Sequence, residues 1–406
     1  MGIIVQKFGG SSLATAELRS RVCDLISTAK AENHDVVVVV SAMGRQHDPY
    51  ATDTLISLVK EVNPDPPLRE LDLIMSCGEL ISGVLLTCQL CRQGIPARFF
   101  SGEQAGIITD GNYGNAHIIY VNPEKISECL AQNIVPVVAG FQGTSKEGEL
   151  TTLGRGGSDT TASALGVALN AELVDIFTDV DGVMTADPRI VDNARLLDSV
   201  SYNELCQMSR EGAKVIHPRA VEIAMQGGIP LRVRSTTSNS PGTLITGRYA
   251  HGAVNVIRDS VITGIAHMSG ISQVRVIPPE TANKLDMELK IFKTLADANI
   301  SVDFINVQPE RIIFTVSNQN LEKTKKILEQ MDVDTKIELD CAKVAVVGAA
   351  MTGIPGIMAQ VVEALQEQNI PILQSGDSYT NIWCLIKREH MELAVRALHD
   401  KFNLGK

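Results

Sequence analysis

The sequence contains no cluster of lysine and arginine and no run near the roughly 20 apolar residues that a membrane span needs, and no secretory leader is expected where the first residues pass directly into Ile3-Ile4-Val5 without a signal pattern. The formal net charge of −11 argues against a nucleic-acid partner, because affinity for a phosphate backbone comes from clustered cations. A small anionic ligand needs only a few local ones. The expectation is a soluble, cytoplasmic protein with no membrane partner. Cysteine pairs are also lacking: Cys23, Cys77, Cys88, Cys91, Cys129, Cys206, Cys341 and Cys384 are scattered, as expected of reduced, mostly buried thiols. Cys88 and Cys91 form a C-x-x-C, but it stands in an apolar run that reads as a buried helix, with no second pair or histidine cluster to complete a zinc site.

What is present is enough apolar side chain, 44% of 406 residues, for two or three domains. Up to about residue 245, short β-branched runs (residues 3–6, 36–40, 135–139 and 174–178) alternate with helical stretches. That alternation predicts a mostly parallel sheet covered on both faces, a three-layer α/β/α domain with ligands at the carboxyl ends of its strands. The stretch 236–252, rich in Ser, Thr, Gly and Pro, predicts the boundary, with the linker proper at 246–260. Beyond it the order strand, helix, strand, strand, helix, strand (residues 271–339) recurs from residue 340 to 406, an internal repeat of roughly 65 to 70 residues that suits two split βαβ modules. The two copies share ADANISVDF and QEQNIPILQ; the first helix is expected to bury Leu285, Leu289, Phe292 and Ala296, and residues 370–374 are expected to be a strand. The second copy lacks its last strand, and residues 261–267 are expected to supply it, interleaving the modules.

Four segments carry the chemistry. VQKFGGSS (residues 5–12) follows the opening strand: Gly9 and Gly10 let backbone N–H groups approach a phosphate and Lys7 adds a cation, although Gly-Gly after a strand also serves as a plain tight turn. It is not a Walker A loop, because G-x-x-x-x-G-K-[ST] is absent. TTLGRGGSDTTASALG (residues 151–166) brings a glycine-rich turn to a helix expected to be capped by Ser158 or Asp159, and Arg155 there can hold a carboxylate bidentately. FTDVDGVMTADPR (residues 177–189) and GAKVIHPRA (residues 212–220) add acidic turn residues and Lys214.

Together with SAMG (residues 41–44) and SCGELIS (residues 76–82), these segments stand in the order found in the aspartokinase family, within the amino-acid kinase superfamily, and the resemblance runs over almost the whole chain. The repeat resembles the paired ferredoxin-like (βαββαβ) ACT domains of such enzymes, here at residues 261–339 and 340–406. The resemblance implies transfer of the γ-phosphoryl group of ATP to the β-carboxylate of L-aspartate. It implies that Lys7 and Lys214 flank the migrating group, with Asp159 holding the lysines and the backbone at Phe8, Gly9 and Gly10 completing the clamp. Arg155 would bind the substrate α-carboxylate and Glu79 its α-ammonium, with Ser41, Thr52, Gly156, Gly157 and Ser158 adding hydrogen bonds. Thr178, Asp179, Met184, Thr185, Ala186, Asp187, Pro188 and Arg189 would line the nucleotide pocket, and Mg²⁺ would be held by ATP phosphates and water, with no protein ligand. From local sequence alone, Glu79 reads first as an ordinary exposed carboxylate of the helical stretch 73–90.

The resemblance also implies feedback inhibition at the helix-to-strand connections of the repeat, with Asn299, Ser301, Asp303, Asn369, Ile370, Ser378 and Thr380 as effector contacts, and a homodimer formed through the ACT domains. Pro371 and the run Gln374-Ser375-Gly376-Asp377-Ser378 depart from many lysine- and threonine-sensitive relatives, so lysine, threonine and diaminopimelate all stay open as effectors. Two rivals share parts of the pattern. A kinase of glutamate, acetylglutamate or a nucleotide would have the phosphate clamp without the Arg155 and Glu79 pairing or the repeat, and a silent amino-acid sensor would not need the Lys7, Asp159 and Lys214 set.

Overall fold

The computed structural model describes residues 2–213, 215–247, 261–279, 283–331, 333–349, 351 and 354–406. Two compact units emerge, one of residues 1–184 and 196–259, the other of residues 185–195 and 260–406.

The first unit runs β1 (Ile3–Phe8), α1 (Gly10–Leu13), α2 (Ala16–Ala31), β2 (Asp35–Val40), α3 (Thr52–Val62), α4 (Leu68–Arg92), β3 (Ala97–Phe100), β4 (Ile107–Thr109), β5 (Ile118–Val121), α5 (Glu124–Ala131) and β6 (Val135–Ala139). It continues β7 (Gln142–Ser145), β8 (Leu150–Thr152), α6 (Gly157–Ala168), β9 (Leu173–Thr178), β10 (Ser199–Ser201), α7 (Tyr202–Arg210), α8 (Pro218–Gly227), β11 (Leu231–Ser235) and β12 (Thr243–Thr246). Eight strands form one sheet in the order β10-β12-β11-β9-β1-β2-β6-β3, and β5-β4-β7-β8 form a smaller one. In the large sheet only the β11–β12 pair is antiparallel. The central strands can be β-branched throughout because both faces are covered: Val36, Val38 and Val40 pack with Ile26, Leu86 and Leu90 of α2 and α4, while Val37 and Val39 are equally buried on the other side.

Register decides where a ligand can sit. Phe8 pairs with Val40 and with Phe177, and Val40 with Ala139, so β1, β2, β6 and β9 end level with one another. The four chains leaving these ends meet along one edge.

Helix α4 is long and apolar enough by composition to cross a membrane. Yet its buried positions include Asp72, Ser76, Glu79 and Ser82, as befits a core helix that serves a polar site. Cys88 and Cys91 lie on its outward side and are exposed, which corrects the expected burial: the apolar run belongs to a 25-residue helix that packs only one flank. All eight thiols are unpaired, and no metal-binding cluster of His, Cys, Asp and Glu occurs among the described residues.

The second unit contains β13 (Gly264–Ile277), α9 (Lys284–Asp297), β14 (Asp303–Gln308), β15 (Arg311–Ser317), α10 (Leu321–Glu329), β16 (Asp334–Val347), α11 (Ile357–Glu367), β17 (Gln374–Asp377), β18 (Asn381–Lys387) and α12 (Met391–Lys401). One antiparallel sheet has the order β14-β15-β13-β16-β18-β17. Both 14-residue strands are shared: Gly264 to His267 pair with Val344 to Val347 beside β18, whereas residues 273–277 pair with 334–338 beside β15. Each module closes its first helix the same way. Asn299 and Asn369 take left-handed φ of 56° and 55°, and the N–H groups of Ile300 and Ile370 reach back to Leu295 and Leu365 carbonyls at 2.9 Å each.

Several local expectations change. On α9 the buried side chains are Ile291 and Leu295, with Met287 and Phe292 against the same core, while Leu285 and Leu289 stay 75% and 68% exposed. Two stripes have helical spacing, and the sheet takes the other one. Residues 370–373 precede rather than form β17. Residues 185–195 part from the first unit because Ala186, Ile190 and Val191 bury in the core of α11 and α12, an apolar demand invisible in a stretch that reads as a polar turn. Leu165 of α6 is fully buried. Leu165→Ala should lower the stability of the first unit by about 2–5 kcal/mol; an unchanged denaturant midpoint would remove α6 from the core.

Candidate functional site

Lys7 is the penultimate residue of β1, and its ammonium stands 2.7 Å from the Asp159 carboxylate, both side chains nearly buried. The contact lacks hydrogen-bond alignment, so it is chiefly Coulombic. Gly9 follows with its N–H on the Phe177 carbonyl at 3.2 Å, and a Cβ there would come 3.6 Å from the Lys7 ammonium. The glycine leaves that approach open. At Gly10 the need is different: a Cβ would fall 2.5 Å from the Ala42 carbonyl, so the residue packs backbone to backbone against the SAMG loop. Phe8 turns into the core and stacks on Phe177 at 4.7 Å, leaving only its main chain for a ligand.

Asp159 belongs to the first turn of α6. The expected cap at Ser158 or Asp159 is not what forms; the N-cap is Gly156, left-handed at φ 69°, and no side chain caps the helix. The first N–H groups of an uncapped helix favour an anion. Gly154, also left-handed, and Gly156 turn the chain so that Arg155 projects exposed beside this helix start, with no ion pair among the described residues. Ser158 is buried against Gly140, which follows β6.

Glu79 settles its competing reading in favour of burial, at 2% exposure. One carboxylate oxygen accepts the Ala42 N–H at 2.9 Å; the other has no hydrogen-bond partner among the described residues. Loss of water pushes its carboxyl up to about 8, against the lowering by the Ala42 N–H. A buried acid with one oxygen unsatisfied is what a ligand cation would complete. Ser41 continues the ladder by donating its N–H to Phe8, and its carbonyl accepts the Ser82 hydroxyl at 2.7 Å, tying the SAMG loop to α4. Thr52 opens α3, half-buried.

At the end of β9 the Thr178 hydroxyl donates to Asp179 at 3.2 Å, and Arg45 pairs with Asp179 across the edge. Ser12 and Thr236 share a buried hydroxyl contact at 2.6 Å, and the Thr236 N–H donates to the Thr178 carbonyl. So the start of the Ser-, Thr-, Gly- and Pro-rich boundary stretch still belongs to this edge. Met184 stays in the first unit. Thr185, Ala186, Asp187, Pro188 and Arg189 lie in the second, where the Thr185 hydroxyl meets His399 Nε2 at 3.0 Å and Arg189 chelates Asp187, holding that carboxyl below its usual range. Lys214 lies outside the described residues. Its neighbour His217 packs against Gly156, where a Cβ would meet it at 2.1 Å, which brings the GAKVIHPRA segment to the Arg155 turn.

The structure thus gathers Lys7, Gly9, Gly10, Ser41, Glu79, Arg155, Ser158, Asp159, Thr178 and Asp179 around one sheet edge. In the second unit, Asn299 and Asn369 occupy equivalent turns, Ser301 follows the first, and Ile370 is buried. Asp303 opens β14 and accepts the Phe304 N–H, while Ser378 and Thr380 form the tight turn before β18, Ser378 donating to Asn381 at 2.8 Å. Sequence reasoning missed Arg45, Ser12, Thr236 and Asp72. Only Asp72 had a signal, a polar stripe of residues 72, 76, 79 and 82 at helical spacing through an apolar helix.

Residues 2–235 match the amino acid kinase family and residues 336–400 match the ACT domain. The chain is 48% identical over 406 residues to aspartokinase 1 of Bacillus subtilis, with 100% of both chains covered. Among solved structures, E. coli aspartokinase III in complex with aspartate and ADP (R-state) matches with a TM-score of 0.81 at 24% identity, over 98% of this chain and 99% of that one. E. coli aspartokinase III in complex with lysine and aspartate (T-state) matches with a TM-score of 0.77 at 25% identity, again over 98% and 99%.

A direct check on the electrostatics is a carboxyl ¹³C titration of Glu79 in the ligand-free protein. The midpoint should lie at about 8; a midpoint in the ordinary glutamate range would mean that the site is hydrated.

Proposed function

The chain belongs to the aspartokinase family and is a kinase of that family, and from this premise we propose how its residues pass the γ-phosphoryl group of ATP to the β-carboxylate of L-aspartate. The observation that carries the reading is the Lys7–Asp159 pair at the carboxyl edge of the sheet, beside an uncapped helix start. Phosphoryl transfer needs positioning and charge stabilisation more than covalent help from the protein. Lys7 offers its ammonium to the oxygens of the migrating group, Asp159 keeps that ammonium in place, and the N–H groups of Gly10 and Ser158 are offered to the same charge. Lys214 is assigned the opposite flank on the family pattern.

Aspartate is gripped at its two backbone ends. Arg155 takes the α-carboxylate as a fork, and Glu79 takes the α-ammonium with its unsatisfied oxygen, so the β-carboxylate is left to attack. Gly156 and Gly157 give the substrate close access to main chain, and Ser41, Thr52 and Ser158 add hydroxyls. Thr178 and Asp179 line the nucleotide, and Met184 to Arg189 are kept with them on the family pattern alone. Mg²⁺ is assigned to the ATP phosphates and water on the family pattern alone. Bound there, Mg²⁺ would neutralise phosphate charge.

Glu79 must be ionised to pair with an ammonium. Because burial holds its carboxyl up at about 8, binding at lower pH has to expel a proton. The apparent KM for aspartate should therefore fall as pH rises toward about 8 and level off above it; a KM flat from pH 6 to 9 would contradict the ammonium role.

The ACT repeat supports feedback control by a small amino acid held at the Asn299 and Asn369 turns, with Ser301, Asp303, Ile370, Ser378 and Thr380 as further contacts. Lysine, threonine and diaminopimelate are the compounds to assay, and a homodimer through these modules and a cytoplasmic location complete the proposal.

ADP release measured with aspartate, glutamate and acetylglutamate tests the whole reading. Aspartate should be strongly preferred, and Lys7→Ala should lose about 100-fold to 1000-fold in kcat with its fold retained. Near-normal turnover of that variant would exclude the assigned mechanism.

A further inference from the structure

We propose that Asp72 is a positioning residue: it fixes the separation between the two groups that grip the substrate's ammonium and carboxylate. The inference rests on the assignment of Glu79 and Arg155 to those roles.

Asp72 is fully buried, yet no cation meets it among the described salt bridges. Its partners are all neutral donors. Both oxygens lie 3.0 Å from the Gly114 N–H; Oδ2 accepts the Thr152 N–H at 2.8 Å and Oδ1 accepts the Thr152 hydroxyl at 2.7 Å. An apolar side chain would pack a helix against a strand without burying a charge. What the carboxylate adds is direction, since it accepts only, and every donor around it must hold one place.

The two ends of this clamp are the two substrate anchors. Asp72 and Glu79 lie seven residues apart on α4, two turns along one face, and both are buried. Thr152 ends β8, three residues before Arg155. Helix α4 therefore carries one anchor itself and grips, through Asp72, the strand that delivers the other.

The short path from Thr152 to Arg155 has little freedom to absorb movement. The Thr152 carbonyl accepts the Ala116 N–H at 2.9 Å, and Arg219 of α8 donates to the Leu153 carbonyl at 2.9 Å and the Ala116 carbonyl at 2.7 Å. Gly154 is left-handed, and a Cβ there would stand 2.8 Å from Asn115 Oδ1. A slip of β8 along α4 would be transmitted to the guanidinium rather than lost in a loose loop.

Steady-state kinetics on the full chain test this. Asp72→Asn replaces an acceptor by an amide that turns donors toward donors, and should raise the KM for aspartate about tenfold while the KM for ATP stays within about twofold. Thr152→Val removes one hydroxyl bond and keeps the shape; it should raise the KM for aspartate about threefold, and Thr152→Ser should restore it. If Asp72→Asn does not fold, the Thr152 pair decides alone. An unchanged KM for aspartate in Thr152→Val, or a rise for both substrates in parallel, overturns the inference. Glu79→Gln and Arg155→Gln separate the two levels: if they raise the KM for aspartate while the Asp72 and Thr152 variants do not, only the positioning role fails, and if they leave it unchanged the substrate assignment fails and takes this inference with it.

Discussion

An ammonium taken out of water at the end of a strand is costly, and at Lys7 the cost is met by one carboxylate 2.7 Å away on the first turn of α6. That pairing constrains much else. It requires β1 and α6 to meet at the same edge and the helix start to stay free of a competing side-chain cap. The level ends of β1, β2, β6 and β9 satisfy the first condition and the left-handed Gly156 the second.

A second constraint runs through α4. Its apolar surface belongs to the sheet core, but its polar stripe faces the site, with Glu79 under the SAMG loop and Asp72 under β8. Gly78 allows the helix to come close, for a Cβ there would lie 2.6 Å from that of Ala42. The same helix thus buries two carboxylates in different surroundings: Glu79 loses water with one oxygen left unsatisfied, which makes it reluctant to ionise, whereas Asp72 accepts from the Gly114 N–H and from the N–H and hydroxyl of Thr152.

Much of this was legible in the sequence. Uninterrupted Val36 to Val40 announced a strand covered on both faces, the glycine-rich segments marked the strand ends, and the repeated helix-Asn-Ile connection marked the two modules, where Asn is the side chain that tolerates a left-handed turn. What was not legible depended on partners distant in the chain. Glu79 looked like a surface acid because its neighbours along the helix say nothing about the loop that covers it. The choice between two apolar stripes on α9, and the capture of Ala186, Ile190 and Val191 by the core beside α11 and α12, are likewise decided by tertiary packing. The cap of α6 was misplaced because Ser158 and Asp159 have the chemistry of capping residues but are engaged elsewhere, one under Gly140 and the other on Lys7.

The most direct measurement is a crystal structure of the enzyme with ADP, a planar mimic of the transferring phosphoryl group, and aspartate. The account predicts the mimic within hydrogen-bonding distance of the Lys7 ammonium, with the aspartate α-ammonium on Glu79 and its α-carboxylate on Arg155. A mimic bound away from the Lys7–Asp159 pair, or an aspartate turned end for end, would contradict it.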